Sequence, residues 1–66
     1  MKIILNGKEY QLKENTTLKE LIKELKIENK VMAAAVNMEI VKKENWDSYI
    51  LAPNDKVELL QFVGGG

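Results

Sequence analysis

Few of the side chains in these 66 residues could do chemistry alone. Ser48 is the only serine, and a serine hydroxyl needs an adjacent base to become a nucleophile. The sequence offers no histidine for that role. It has no cysteine either, which excludes a thiol nucleophile, a persulfide, a disulfide and a Cys-rich zinc site. Every basic residue is a lysine, so there is no planar guanidinium fork for phosphate or carboxylate. Glu39, Glu44, Asp47 and Asp55 could converge, but scattered surface acids are far more often solvated than catalytic or metal-binding. The expectation is no catalytic residue and no metal ligand. Trp46 reads first as a core or lid residue, since a small domain needs every large apolar group it has. Two features keep functional content. One is the closing run Gly64-Gly65-Gly66, slim and costly to order. It cannot cradle a phosphate, because no helix follows it. Composition leaves two readings open: an inert frayed end or cloning remnant, or a chain end that threads a narrow channel where side chains would block passage. The other is an apolar surface on the last strand.

Those features need a scaffold, and composition says which kind. A chain this short makes one domain, expected over residues 1–63 with 64–66 as a flexible tail. At this size only about 60% of the unfolded chain's surface is buried, so stability amounts to a few kcal/mol. Charged residues are 30% and hydrophobic ones 45%, a globular balance. The formal net charge is zero, which argues against nucleic acid as partner. No stretch approaches the roughly 18 apolar residues of a membrane span, and Met1–Gly7 is too short an apolar run for a signal peptide. A cytoplasmic protein with no membrane partner is the expectation.

Lys2 to Leu5 reads as a strand, and Asn6-Gly7 as a tight I′ turn with positive φ at both positions. Glu9 to Leu12 alternates and returns as a second strand, placing Ile3, Leu5, Tyr10 and Leu12 on one inner face. Thr17 and Glu20 have the spacing of a capping box. Leu18, Leu21, Ile22 and Leu25 form one helical stripe, which predicts a helix over about 18–27. Its lysines 19, 23, 26 and 30 and its glutamates 20, 24 and 28 form balanced solvated flanks. Val31 to Val36 is a third strand, Ile40-Val41 a short fourth, and 42–49 irregular. Pro53 to Lys56 is a turn, and Val57 to Phe62 the last strand. Val57 and Leu59 then face the core, while Leu60 and Phe62 face outward with Ile4 and Ala35 beside them, an exposed apolar patch suited to a protein partner. One helix must cover one face of one mixed, four- to five-stranded sheet, an α+β arrangement solved by a β-grasp with the last strand parallel to the first.

The sequence resembles the ubiquitin-like β-grasp sulfur carriers, most closely the ThiS family of thiamine biosynthesis, over essentially its whole length. The resemblance rests on Met1-Lys2-Ile3 with Leu5-Asn6-Gly7, on Thr17-Leu18-Lys19-Glu20-Leu21-Ile22, and on Val36-Asn37 with Glu39-Ile40-Val41. Trp46, Asp55-Lys56-Val57-Glu58 and the ending Gln61-Phe62-Val63-Gly64-Gly65-Gly66 complete it. Met38 stands where the family usually has glycine, Lys42-Lys43 where it often has Pro-Arg, and Pro53-Asn54-Asp55 where Asp-Gly-Asp is common. A methionine at positive φ is disfavoured, so the geometry of the turn at Met38 is left open by the sequence.

The resemblance implies a carrier rather than an enzyme. Gly66 would be adenylated by an E1-like adenylyltransferase of the ThiF type, using ATP and magnesium held by that enzyme. A sulfur relay from a cysteine desulfurase would convert it to a thiocarboxylate, and a thiazole synthase of the ThiG type would consume the sulfur. Gly64 and Gly65 would thread the tail into partner active sites, while Ile4, Ala35, Leu60 and Phe62 would form the docking surface. Carriers for molybdopterin or cysteine synthesis, and a ubiquitin-like interaction or modifier domain, are the alternatives.

Overall fold

The computed structural model describes residues 1–61. Within them lie β1 (Lys2–Leu5), β2 (Lys8–Gln11), α1 (Leu18–Glu24), β3 (Val31–Val36), β4 (Glu39–Val41), a short 3-10 turn (Lys43–Asn45) and β5 (Lys56–Gln61). The five strands form one sheet in the order β2-β1-β5-β3-β4. The β1–β5 pair is parallel and the other pairs are antiparallel. The strand reaching toward the chain end is therefore the central one, held on both sides.

The hairpin at Asn6-Gly7 forms with φ of 48° and 85°, as its residue types require. Ile3 is fully buried and sits opposite Tyr10, so both face the helix. Leu5 and Tyr10 are half-buried against the core and Leu12 is buried. The Tyr10 hydroxyl donates to the Glu24 carboxylate and ties β2 to the end of α1. That bond, then burial and the carboxylate's charge, raises the phenol's pKa.

The helix start satisfies its orphan donors one by one. Thr17 Oγ1 accepts from Glu20 N at 3.1 Å and Glu20 Oε1 accepts from Thr17 N at 2.8 Å, a complete capping box. Leu18 N donates to Tyr49 O at 2.8 Å and Lys19 N to Trp46 O at 3.0 Å. The stretch 42–49 thus serves as a cap for the helix, and Trp46 anchors it. Only 4% of Trp46 is exposed, and its indole N–H donates to Val41 O at 2.8 Å.

The helix is shorter than the expected 18–27. It ends at Glu24, because Lys26 turns to φ 60°. Lys26 N donates to Lys23 O and Ile27 N to Ile22 O, the paired bonds of a Schellman motif. Ile27 then packs against the core from outside the helix. Leu18, Leu21 and Ile22 are buried as the stripe predicts, and Leu25 is half-buried.

The alternation of β3 is broken by a bulge between Val31 and Ala33. Val31, Ala34 and Val36 all reach the core despite their unequal spacing, and Met32 is left 64% exposed. Across the sheet they meet Val57 and Leu59, both buried as expected.

The β3–β4 turn also forms, with Met38 at positive φ. Asn37 and Met38 adopt φ of 52° and 71°, the same paired positive sign as the first hairpin. The clamp is Asn37. Its Oδ1 accepts from Lys56 N and its Nδ2 donates to Asp55 Oδ1, both at 3.0 Å, while its backbone N donates to Lys56 O. These bonds over-determine the turn, so Met38 is carried into the left-handed region, where a non-glycine residue costs roughly 1–2 kcal/mol. Met38→Gly relieves this, offset by glycine's greater freedom when unfolded, and a net stabilisation of roughly 0.5–1 kcal/mol is expected in urea denaturation. A lower urea midpoint would mean that the methionine side chain makes contacts that outweigh the strain.

Candidate functional site

The sheet face turned away from α1 is built by strand parity. On β5, Lys56, Glu58 and Leu60 alternate with the buried Val57 and Leu59. Ala33 lies opposite Leu60, and Ala35 opposite both Glu58 on β5 and Ile40 on β4. Ile4 is the parallel neighbour of Lys56. Three of the expected docking residues, Ile4, Ala35 and Leu60, therefore share one face. Leu60 is 61% exposed, and Ile4 and Ala35 are half-buried. Phe62 and the glycines 64, 65 and 66 lie outside the described residues, as does the end of the predicted last strand.

Two residues of this surface are missing from the sequence reading. Ile40, 71% exposed, extends the patch onto β4, and Met38, 86% exposed, borders it at the turn. The period-2 rule was available for Ile40, because Val41 beside it is buried. Two shallow depressions mark the face. One, of about 400 Å³, is walled by Ala33, Ala35, Ile40, Glu58 and Leu60. The other, of about 370 Å³, is walled by Ile4, Gly7, Met38, Lys56 and Glu58. Apolar side chains this exposed and this contiguous mark interaction surfaces.

β5 remains tied past the end of β1. Asn6 Oδ1 accepts from Leu59 N at 2.9 Å, and Asn6 N donates to Val57 O at 2.8 Å. On the other side, Gln61 pairs with Val31. From that fixed point, residues 62–66 can span at most roughly 17 Å when extended.

The remaining candidates have structural duties. Asp55 holds Asn37 through Oδ1 and Ala52 N through Oδ2. The Ser48 hydroxyl donates to Asn45 O. Lysines 19, 23, 26 and 30 are all exposed. Among the described residues, no group of three acidic side chains is placed to hold a metal.

One helix packed on a mixed sheet of this strand order is a ubiquitin-like β-grasp, here with its central strand leading to a glycine ending and an open apolar face beside it. The chain belongs to the ThiS family, the sulfur carriers of thiamine biosynthesis, whose pattern matches residues 3–66. It is 38% identical to the sulfur carrier protein ThiS of Bacillus subtilis over 63 residues, covering 94% of this chain and 96% of that protein. It superposes with a TM-score of 0.83 on the crystal structure of the thiamine biosynthesis protein ThiS from Geobacter metallireducens, at 31% identity and full coverage of both chains. It also matches, at 33% identity over all its 66 residues, a thiazole synthase of Paramagnetospirillum magneticum, of whose length it spans 20%.

Proposed function

We propose that the chain delivers sulfur for the thiazole ring of thiamine on the carboxyl group of Gly66. An α-carboxyl has a pKa of about 3.3–3.7, so it is ionised at neutral pH and a poor electrophile. Attack of the carboxylate on the α-phosphorus of ATP, at an E1-like adenylyltransferase holding magnesium, forms the acyl-adenylate and releases pyrophosphate. The outer sulfur of a persulfide, relayed from a cysteine desulfurase, then attacks the acyl carbon and AMP leaves. A partner's second thiol cleaves the resulting acyl disulfide, taking up the persulfide's inner sulfur as a disulfide and leaving the thiocarboxylate on Gly66. A thiazole synthase consumes it. The partners carry out the catalysis; this chain is carrier and co-substrate. Because the chemistry draws on ATP and a desulfurase relay, we place it in the cytoplasm; among the described residues, no helix is long and apolar enough to cross a membrane.

The observation that carries this reading is the placement of β5, central in the sheet, bonded on one side as far as Leu59 and on the other as far as Gln61, three residues before the closing glycines. A rigid base with a slim end suits a chain that must enter another protein's active site. The likeness of this whole chain to a fifth of a thiazole synthase supports that enzyme as the acceptor, since a segment similar to this chain then shares one polypeptide with it.

In this reading the outward face with Ile4, Ala35 and Leu60 docks the adenylyltransferase, Phe62 takes part in the contact, and Gly64 and Gly65 pass through its channel. Leu60→Asp leaves the core intact, because Leu60 is 61% exposed. It is expected to weaken docking by at least roughly 30-fold, the scale of a central apolar anchor. The overall proposal is tested by loading the carrier with isotopically labelled sulfide, ATP and the adenylyltransferase, then adding thiazole synthase with its other substrates. Label in the thiazole supports it; label retained on the carrier after turnover of the synthase would assign the sulfur to another pathway.

A further inference from the structure

Glu58 is the one acidic side chain on the walls of both depressions in the outward face. It is exposed, lies directly opposite Ala35, and alternates along β5 with Lys56 and Leu60. Among the described residues it has no ion-pair partner; Lys2 and Glu9 form the only such pair, at 3.8 Å. Lys56, two residues away on the same face, leaves it unpaired. Apart from Asn6 in the first depression and Lys56 in the second, the side chains around it are apolar, with Leu60, Ile40 and Ala33 on one side and Ile4 and Met38 on the other.

A protein that covers Leu60 and Ile40 must also cover Glu58. Taking a carboxylate out of water with no counter-charge is strongly unfavourable, and it would oppose the gain from burying the apolar residues beside it. A matching cation turns the same group into a selector, since a partner lacking it is rejected by an unpaired buried charge. We infer that the docking partner presents a lysine or arginine opposite Glu58, flanked by two apolar side chains that enter the depressions on either side. This inference rests on the proposed use of the outward face for docking.

The test is the affinity of Glu58→Gln, Glu58→Lys, Lys56→Gln and Leu60→Asp for the adenylyltransferase of the same organism, each measured by calorimetry at low and high salt. Glu58→Gln is expected to bind roughly tenfold more weakly and Glu58→Lys roughly a hundredfold. Salt is expected to weaken the parent and the Lys56→Gln variant more than Glu58→Gln, because an ion pair is screened and a neutral contact is not. Circular dichroism should report the same fold for every variant, since Lys56, Glu58 and Leu60 are all exposed. If Glu58→Gln binds as tightly as the parent or tighter while Leu60→Asp does not bind, the docking face stands and the cationic partner site is overturned. If Leu60→Asp binds like the parent, the docking reading itself has failed.

Discussion

Deleting Gly66 is expected to abolish sulfur loading while leaving the fold unchanged. The shortened chain still ends in a glycine carboxylate, so the reacting group is chemically the same. Its position is not. One residue of extended chain spans about 3.3–3.6 Å. β5 is fixed by its ladder through Gln61, so a docked carrier cannot slide forward to compensate. Reaction geometry tolerates far less: a misplacement of about 1 Å costs on the order of 100-fold in rate. Adenylation, followed as pyrophosphate release, should fall by at least roughly 100-fold for the shortened chain. Affinity for the adenylyltransferase should change much less, because Leu60, Ile40 and Ile4 are all retained. Urea denaturation should superpose on that of the parent, since the buried core of the described residues runs from Ile3 to Leu59. Pyrophosphate release at the parental rate would show that the position of the terminal carboxylate is not what the partner reads.

Trp46→Ala is expected to unfold the protein. Trp46 is 4% exposed and packs within the single core cluster of the described residues. Replacing a buried tryptophan with alanine costs about 3–5 kcal/mol, and a core this small supplies no more than about 3–5 kcal/mol of net stability. The loss extends beyond volume. The indole N–H holds Val41 O, and the backbone around Trp46 caps the first turn of α1 through its bond from Lys19 N. Far-UV circular dichroism should show a largely unfolded chain at room temperature, and Trp46→Phe should recover part of the signal by keeping an aromatic ring while losing the indole bond. A cooperative thermal transition near that of the parent for Trp46→Ala would contradict the role assigned to this residue.

The fold was legible wherever a local rule acts alone. Asn6-Gly7 requires an I′ turn, Thr17 and Glu20 cap each other, and Leu18, Leu21 and Ile22 share a stripe; each appears as read. The misses, and the turn left open, arise where tertiary bonds overrule local preference. Lys26 carries no sequence signal for a helix end, yet the paired Schellman bonds and the packing of Ile27 turn the chain there. Met38 is a poor residue for positive φ, yet the three bonds of Asn37 to residues 55 and 56 close the turn around it. The three consecutive alanines of β3 hid a bulge, because side chains so small give little contrast between faces. The exposed apolar face was readable from the parity of β5, which fixed Leu60 outward once Val57 and Leu59 were inward. Ile40 escaped notice because its strand has only three residues, too few for alternation to stand out.

The account turns on one chemical group. The chain has no cysteine, so carried sulfur cannot rest on a side chain as a persulfide; in the proposed function it replaces an oxygen of the Gly66 carboxylate. The direct measurement is the intact mass of the protein purified from its native cell grown without thiamine, under conditions that preserve thioacids. The account predicts a population heavier by the difference between a sulfur and an oxygen atom, with fragmentation placing the gain on Gly66. Sulfur found on any other residue, or only unmodified carrier in cells that are making thiamine, would contradict it.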